Sequence, residues 1–166
     1  DTTVEGCNIS VAPAAETTVA GLEALTGTLT IADSCSNDSN ISVSSSDSVS
    51  GSFPFVITRT YTVTDECSNT SNSFTHTINV DDTINPTAIC QDITVQLDAS
   101  GNASIVAADV DNGSNDNCSV TLSATPLTFT CATTGVNTIT LTATDLSGNT
   151  DNCTSTVTIE DTVDPT

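Results

Sequence analysis

The sequence predicts an all-β chain built from two small tandem domains, on three observations. The hexapeptide Asp82-Thr83-Ile84-Asn85-Pro86-Thr87 returns as Asp161-Thr162-Val163-Asp164-Pro165-Thr166, and the chain opens on Asp1-Thr2-Thr3. A phrase repeated about every 80 residues marks a tandem array of small domains. Ser and Thr make up about a third of the residues, interleaved with short Val- and Ile-rich runs, a composition of strands and turns rather than helices. Finally, the strongest periodic stretches alternate apolar and polar residues with a period of two. The repeat sets the domains at 1–81 and 82–166, with 161–166 as the start of the next joint.

In the first domain, strand-like runs fall at Cys7–Val11, Thr17–Ala20, Thr28–Ala32, Ile41–Ser45, Phe55–Thr64 and Phe74–Val80. The stretch Val19–Leu25 has the composition of a helical turn, and its glycine and short length argue against a long helix. Clusters of Ser, Asn, Asp and Gly separate the runs, as loops do in an all-β domain. In the second domain the clearest strand is Asn137–Asp145. There Ile139, Leu141 and Ala143 alternate with Thr138, Thr140, Thr142 and Thr144, so threonines face outward from a half-buried strand.

The two domains align on this strand. Arg59–Asp65 lies over Ile139–Asp145, the turn Ser68-Asn69-Thr70 over Gly148-Asn149-Thr150, and the run Phe74–Val80 over Cys153–Ile159. Each domain therefore ends in a hairpin. Short strands at regular spacing, closed by such a hairpin, predict an immunoglobulin-like β-sandwich in each repeat. Two residues break the apolar parity. Arg59, aligned with Ile139, must snorkel out or pair with an acid. His76, aligned with Ser155, reads as a partly buried, hydrogen-bonded histidine rather than a ligand or catalyst.

Seven cysteines in a secreted-looking chain suggest a disulfide framework, and the odd count leaves one thiol over. In the second domain Cys90 lies at the start of the first strand and Cys153 at the start of the last, positions that share one pole of an immunoglobulin-like sandwich, so Cys90–Cys153 is expected. Cys118–Cys131 then closes a local loop. In the first domain, Cys7 aligns with Cys90 and Cys35 with Cys118, while Ser52-Phe53-Pro54 stands where Cys131 would be matched. This favours Cys7–Cys67 with Cys35 free, against the competing pair Cys35–Cys67. A zinc site is disfavoured, because there is no CxxC pair and only one histidine.

The phrases Ala32-Asp33-Ser34-Cys35-Ser36, Asn115-Asp116-Asn117-Cys118-Ser119 and Thr144-Asp145-Leu146-Ser147-Gly148-Asn149-Thr150, with the Asp-Thr-x-x-Pro-Thr joint, resemble the hyalin-repeat (HYR) family. The nearest likeness is to the tandem arrays of SprB-type surface adhesins in gliding Bacteroidetes. The first domain is similar to the variant with a Thr-Arg-Thr-aromatic strand followed by Thr-Asp-x-Cys, here Thr58–Tyr61 and Thr64–Cys67, but lacks the cysteine near Phe53. The resemblance implies an immunoglobulin-like fold, an extracellular place and a role in adhesion or as a spacer, with no particular ligand. It also implies O-glycosylation at Asp-Ser/Thr followed by an apolar residue or Thr, a pattern that Thr2, Ser48, Thr83 and Thr162 fit. Asn-x-Ser/Thr matches such as Asn8 and Asn102 follow from composition.

Charge bounds the partners. Twenty-one acids face one Arg and no Lys, a net charge of −20. Phosphate recognition needs Lys and Arg, so nucleic acid and anionic lipid headgroups are excluded as direct partners. No hydrophobic run is long enough to insert in a membrane. Such a surface repels itself unless cations are present, and divalent cations suit it. Calcium needs several oxygen ligands. In the second domain Asp82, Asp109, Asp111, Asp116 and Asp145 are expected at one pole, with Asn149 and Asp151 in the adjacent turn. Asp1, Asp33 and Asp65 correspond in the first. The competing reading is that these Asp and Asn residues only bind their own turns. No Ser-His-Asp spacing, GxSxG or phosphate-cradling loop suggests an enzyme, and aromatics are too few for a sugar-stacking cleft. The expected function is a disulfide- and calcium-stiffened spacer in a large extracellular adhesin or filament, whose partners are neighbouring repeats. A glycan- or protein-binding module and a self-assembling fibre subunit are the alternatives.

Overall fold

The computed structural model describes residues 1–26 and 29–163, so Thr28 of the run Thr28–Ala32 and the last three residues of the C-terminal joint lie outside it. The chain divides into two compact units, Asp1–Asp81 and Asp82–Thr166. It is mostly β, with one short α-helix among the described residues.

The first unit contains β1 (Thr2–Glu5), α1 (Val19–Thr26), β2 (Ser42–Ser50), β3 (Phe55–Thr64) and β4 (Phe74–Asp81). They form one four-stranded sheet in the order β1-β4-β3-β2, with β1 parallel to β4 and the other pairs antiparallel. On β3, Ile57, Arg59, Tyr61 and Val63 are buried while the threonines between them are half-exposed, the alternation its sequence predicts. Three of the expected strands are not strands over their described residues. Cys7–Val11 holds a 3-10 turn at Ile9–Val11, and Thr17–Ala20 leads into α1. Residues 29–32 are irregular.

Packing overrides strand propensity in α1. The Thr18 hydroxyl accepts the Gly21 N–H at 3.1 Å and caps the first turn. Val19 and Leu22, three positions apart on one helical face, then pack with Ile41, Tyr61 and Val63. The Tyr61 hydroxyl is not stranded by its burial, because it accepts the Glu16 N–H at 3.1 Å. Its ring stacks on Phe74 with centroids 5.7 Å apart.

A second apolar cluster, Ile57, Ile78 and Val80, lies further along the same sheet. Between the two clusters runs a polar row. Arg59 stands opposite Asp47 on β2 and opposite His76 on β4. The guanidinium is 6 % exposed and donates to both Asp47 carboxylate oxygens at 2.8 Å and to the Pro13 carbonyl at 2.8 Å. His76 is equally buried. Its Nε2 is 2.8 Å from the Thr2 hydroxyl, and its Nδ1 is buried with no hydrogen-bond partner among the described residues. Burial first, then the positive charges of the chain's amino terminus and Arg59, push the His76 pKa below its ordinary value of 6.5.

This gives a pH prediction with a definite sign. The depressed pKa means that the unfolded chain binds the proton more readily. The His76 contribution is therefore complete above pH 6.5 and is lost as pH falls through 6.5 toward the folded-state value. The urea midpoint of the first unit is expected to fall between pH 7.5 and pH 5 in the wild type. It should fall less in His76→Ser, which installs the residue that the second unit carries at Ser155. Equal slopes in the two proteins would overturn this assignment.

The second unit contains β5 (Ile93–Gln96), β6 (Asn102–Ser104), β7 (Val120–Thr125), β8 (Thr128–Thr130), β9 (Gly135–Asp145) and β10 (Thr150–Glu160). Its four-stranded sheet runs β5-β10-β9-β7, again with the first strand parallel to the last, and β6 and β8 form a separate pair. The hairpins of the two units share a register: Arg59 opposes His76 as Ile139 opposes Ser155, and Tyr61 opposes Phe74 as Leu141 opposes Cys153. Because Ile139 replaces the arginine, the core here is continuous. Ile139, Leu141, Val157 and Ile159 pack with Leu97, Ile105, Val110 and the fully enclosed Phe129 of β8. In the first unit α1 packs on the sheet through Val19 and Leu22, and in the second Phe129 of β8 joins the core.

Candidate cation site at the start of the second unit

The repeated joint is not a loose linker at its one fully described copy. Asp82 is 2 % exposed, and Pro86 is buried. The following residues are pinned by hydrogen bonds. Thr87 and Asn115 exchange backbone bonds at 2.8 and 3.0 Å, the Ala88 N–H donates to Asp151 at 2.9 Å, and the Ile89 N–H to the Ser114 hydroxyl at 2.9 Å. The Asp82 carbonyl accepts from the Asn149 side chain at 3.0 Å, which ties the joint to the β9–β10 turn.

One carboxylate oxygen of Asp82 accepts the Ile84 N–H and the Asn117 side-chain amide, each at 3.2 Å. Asp116 enters from the loop before β7. One of its oxygens accepts the Cys118 N–H at 2.8 Å, and the other is buried with no hydrogen-bond partner among the described residues. Asp82, Asp116 and Cys118 thus place ligand-capable atoms within 4.8 Å of one another, a group that could hold a metal ion. The sulfur is the weak member. Cys118 is disulfide-bonded and has no thiolate to offer, which leaves a donor set of carboxylate oxygens.

The electrostatic demand here is specific. Residues 82–166 contain no Lys, Arg or His. Two carboxylates this close repel by on the order of 3 kcal/mol at an effective dielectric of about 20. No cationic side chain in the unit offsets that repulsion.

The other expected ligands do not join this group. Asp145 is buried beside it, but both its oxygens are taken by Asn149, at 2.8 Å from the N–H and 2.7 Å from the side chain. Asp65 binds Asn69 in the same way at 2.8 and 2.7 Å. The two turns are one device: Ser68 and Gly148 occupy matching positions with φ of 70° and 91°, the left-handed region that favours glycine. Asn69 holds the Asp65 carboxyl below the usual carboxylate range. Asp111 accepts the Ser114 and Gly113 N–H groups at 2.9 and 3.1 Å; the Ser114 side chain first, then these N–H groups, lower its pKa, and Asp109 accepts the Val106 N–H at 2.7 Å to cap a 3-10 turn. Asp1 and Asp33 are exposed, and among the described residues of the first unit no metal-capable group forms. Asn149, expected in the turn adjacent to this pole, does reach the Asp82 carbonyl, whereas the contact of Asn117 with the Asp82 carboxylate has no sequence signal beyond its place beside Asp116.

The cysteines pair differently from the expectation in two of three cases. Cys90 and Cys153 are bonded, with Cα atoms 5.8 Å apart. Cys7 and Cys118 are each disulfide-bonded, whereas Cys35, Cys67 and Cys131 are free and exposed. The pairs Cys7–Cys67 and Cys118–Cys131 are therefore corrected. The cause is register. Thr2 pairs with Ile78 as Ile93 pairs with Val157, so Cys90 precedes its edge strand and Cys7 follows it. Cys7 then lies where β4 ends, and Cys67 lies in the turn before β4 begins. In the second unit, Cys118 sits near the start of β10. Cys131 hydrogen-bonds the Gly101 carbonyl at 3.6 Å, on the turn beyond β5 that faces the end of β10. The segment from Cys118 to Cys131 crosses the unit instead of closing a local loop.

Of the expected sugar acceptors, Ser48 on the edge strand β2, Thr83 and Thr162 are exposed. Thr2 is half-buried with its hydroxyl on His76, and a sugar there would break that bond. No protein-family model matches the chain, and no curated protein matches it in sequence.

Proposed function

We propose that the chain is a pair of immunoglobulin-like spacer repeats from a larger extracellular array, stiffened where the repeats begin by calcium bound between Asp82 and Asp116. One observation carries this reading: the first residue of the repeating joint is buried in the unit that follows it and shares an anionic oxygen cluster with that unit. A joint built into the folded body transmits direction along an array, as a floppy linker does not. The sheet order, with a first strand parallel to a last strand that also ends a hairpin, supports the immunoglobulin-like reading, in which the β6–β8 pair would belong to the second face of the second unit. The oxygen-rich donor set suits calcium in preference to a transition metal. Disulfides accord with an oxidising extracellular setting.

The reading is tested on tandem chains of two, four and eight units imaged by electron microscopy in calcium. Contour length is expected to rise in proportion to unit number. Compact particles that gain diameter without length would contradict it.

A second reading has its own observation. Val95 and Gln96 on β5, Asn102 and Ser104 on β6, and Thr128 on β8 line a cavity of about 610 Å³. Its mixed polar lining fits a neutral glycan, and the chain would then be an adhesive module. The spacer reading is preferred because the aromatic side chain among the described lining residues, Phe129, is buried in the core and offers no face to a sugar ring.

A further inference from the structure

We propose that Cys35 and Cys67 are a disulfide-forming pair that closes the turn end of the first unit under oxidising conditions. The first unit holds three cysteines, Cys7, Cys35 and Cys67. Cys7 is already disulfide-bonded, which leaves the other two as free, exposed thiols. They are brought to one place by the fold. Asp33 and Asp65 line the same cavity of about 240 Å³, together with Ile31, Ile41, Val63 and Asn69. Cys35 lies two residues beyond Asp33 and Cys67 two residues beyond Asp65, so each thiol sits on a short arm from one rim of that cavity.

The two arms differ in how the backbone is held. Cys67 is held in a tight turn, where the Asp65 N–H donates to the Asn69 carbonyl at 3.0 Å, the Ser68 N–H to the Asp65 carbonyl at 3.1 Å, and the Asp65 carboxylate accepts from Asn69. Cys35 lies in a bend between residues 33 and 37 that belongs to no strand or helix. The only side-chain contact it makes among the described residues is a 3.9 Å approach to the Ser34 hydroxyl. Closure needs the bend to bring the two Cα atoms within the 4.4–6.8 Å that a disulfide requires.

The step is thiol–disulfide exchange with a small-molecule disulfide oxidant such as oxidised glutathione. One thiolate attacks the oxidant and releases a reduced thiol. The second thiolate then displaces the remaining half of the oxidant from the mixed disulfide, which forms the Cys35–Cys67 bond and a second reduced thiol. Two electrons and two protons pass to the oxidant. The bond would cross-link the loop before β2 to the β3–β4 turn, the same two elements that the second unit draws together around Asp116 and Asp145. It also moves the odd cysteine of the chain from Cys35 to Cys131.

The whole chain is incubated with reduced and oxidised glutathione in a mixed buffer, or with no oxidant, then alkylated and digested at Asp and Glu, since it has one Arg and no Lys. Without oxidant, three alkylated cysteines are expected: Cys35, Cys67 and Cys131. With oxidant, only Cys131 should be alkylated, and a Cys35–Cys67 cross-linked peptide should appear. The melting temperature of the first unit should rise by roughly 10 °C, and Cys67→Ser should abolish both changes. Persistent alkylation of Cys35 and Cys67, or their capture by Cys131 or by a second chain, would overturn the proposal.

Discussion

Replacing Asp47 with alanine is expected to destabilise the first unit by about 2–3 kcal/mol. The change removes the carboxylate that receives two hydrogen bonds from Arg59, and leaves the buried arginine with only the Pro13 carbonyl and the Tyr61 side chain as partners among the described residues. A wholly buried pair would lose about 3–5 kcal/mol on losing one partner. The Asp47 side chain is 39 % exposed, so solvent and salt already screen part of the interaction. The mirror experiment gives the diagnostic. Asp47→Ala combined with Arg59→Ile imports the residue found at Ile139 and removes the buried charge altogether. That double variant should regain wild-type stability or exceed it, because apolar replacement of buried ion pairs is often neutral or stabilising. The readout is built in: the chain has one Tyr and no Trp, and Tyr61 is enclosed in the first unit beside Phe74. Tyrosine fluorescence during urea unfolding therefore reports that unit alone. A single Asp47→Ala variant with an unchanged midpoint would show that the pair holds nothing together. The same pair sets an acid limit. Its hydrogen bonds from Arg59 lower the Asp47 pKa below 3.8, so its contribution is present above that pH and is lost as pH falls through the folded-state value.

The second large effect is expected from calcium. If an ion sits between Asp82 and Asp116, it stabilises the folded state by mass action, by about 2.7 kcal/mol at a hundredfold excess over the dissociation constant. For a unit of this size that is a rise in melting temperature on the order of 10 °C or more. Asp116→Asn should remove it. This variant keeps the volume and an oxygen for the Cys118 N–H while deleting one charge. In chelator its effect should reverse, because it also relieves repulsion between two close carboxylates in a unit without any basic residue. A variant that is more stable than wild type without calcium and less stable with it is the signature of a cation site. A merely structural aspartate would be destabilised in both conditions. Asp111→Asn serves as the control, since its carboxylate is spent on the Ser114 and Gly113 N–H groups.

The parts of the fold legible in the sequence were those governed by period. β3 runs from Phe55 to Thr64 where the apolar–Thr alternation places it, and the alignment of Arg59 with Ile139 and of His76 with Ser155 matches the registers of the two hairpins. The polar breaks in that pattern were also informative: Arg59 does find an acid, Asp47, across the strand. What stayed hidden depends on packing partners. Val19 and Leu22 become helical because Tyr61 and Ile41 receive them, and nothing local in Thr17–Ala20 distinguishes that outcome from a strand. The cysteine pairing is not legible because spacing along the chain does not give register. A shift of the edge strand puts Cys7 at the far end of β4 from Cys67. At the cation site, Asp82 and Asp116 were visible as acids at one pole. Which of the acids are diverted into caps and turns, as Asp109, Asp111 and Asp145 are, is not legible, because an Asp that binds its own loop and one that faces a cavity look alike in sequence.

Isothermal titration of the chelator-treated wild-type chain with calcium, in parallel with Asp116→Asn, bears most directly on the central claim. The account predicts saturable calcium uptake by the wild type, a melting temperature that falls when chelator is added, and loss of both in the variant. No calcium uptake by the wild type, with a melting temperature indifferent to chelator, would contradict it.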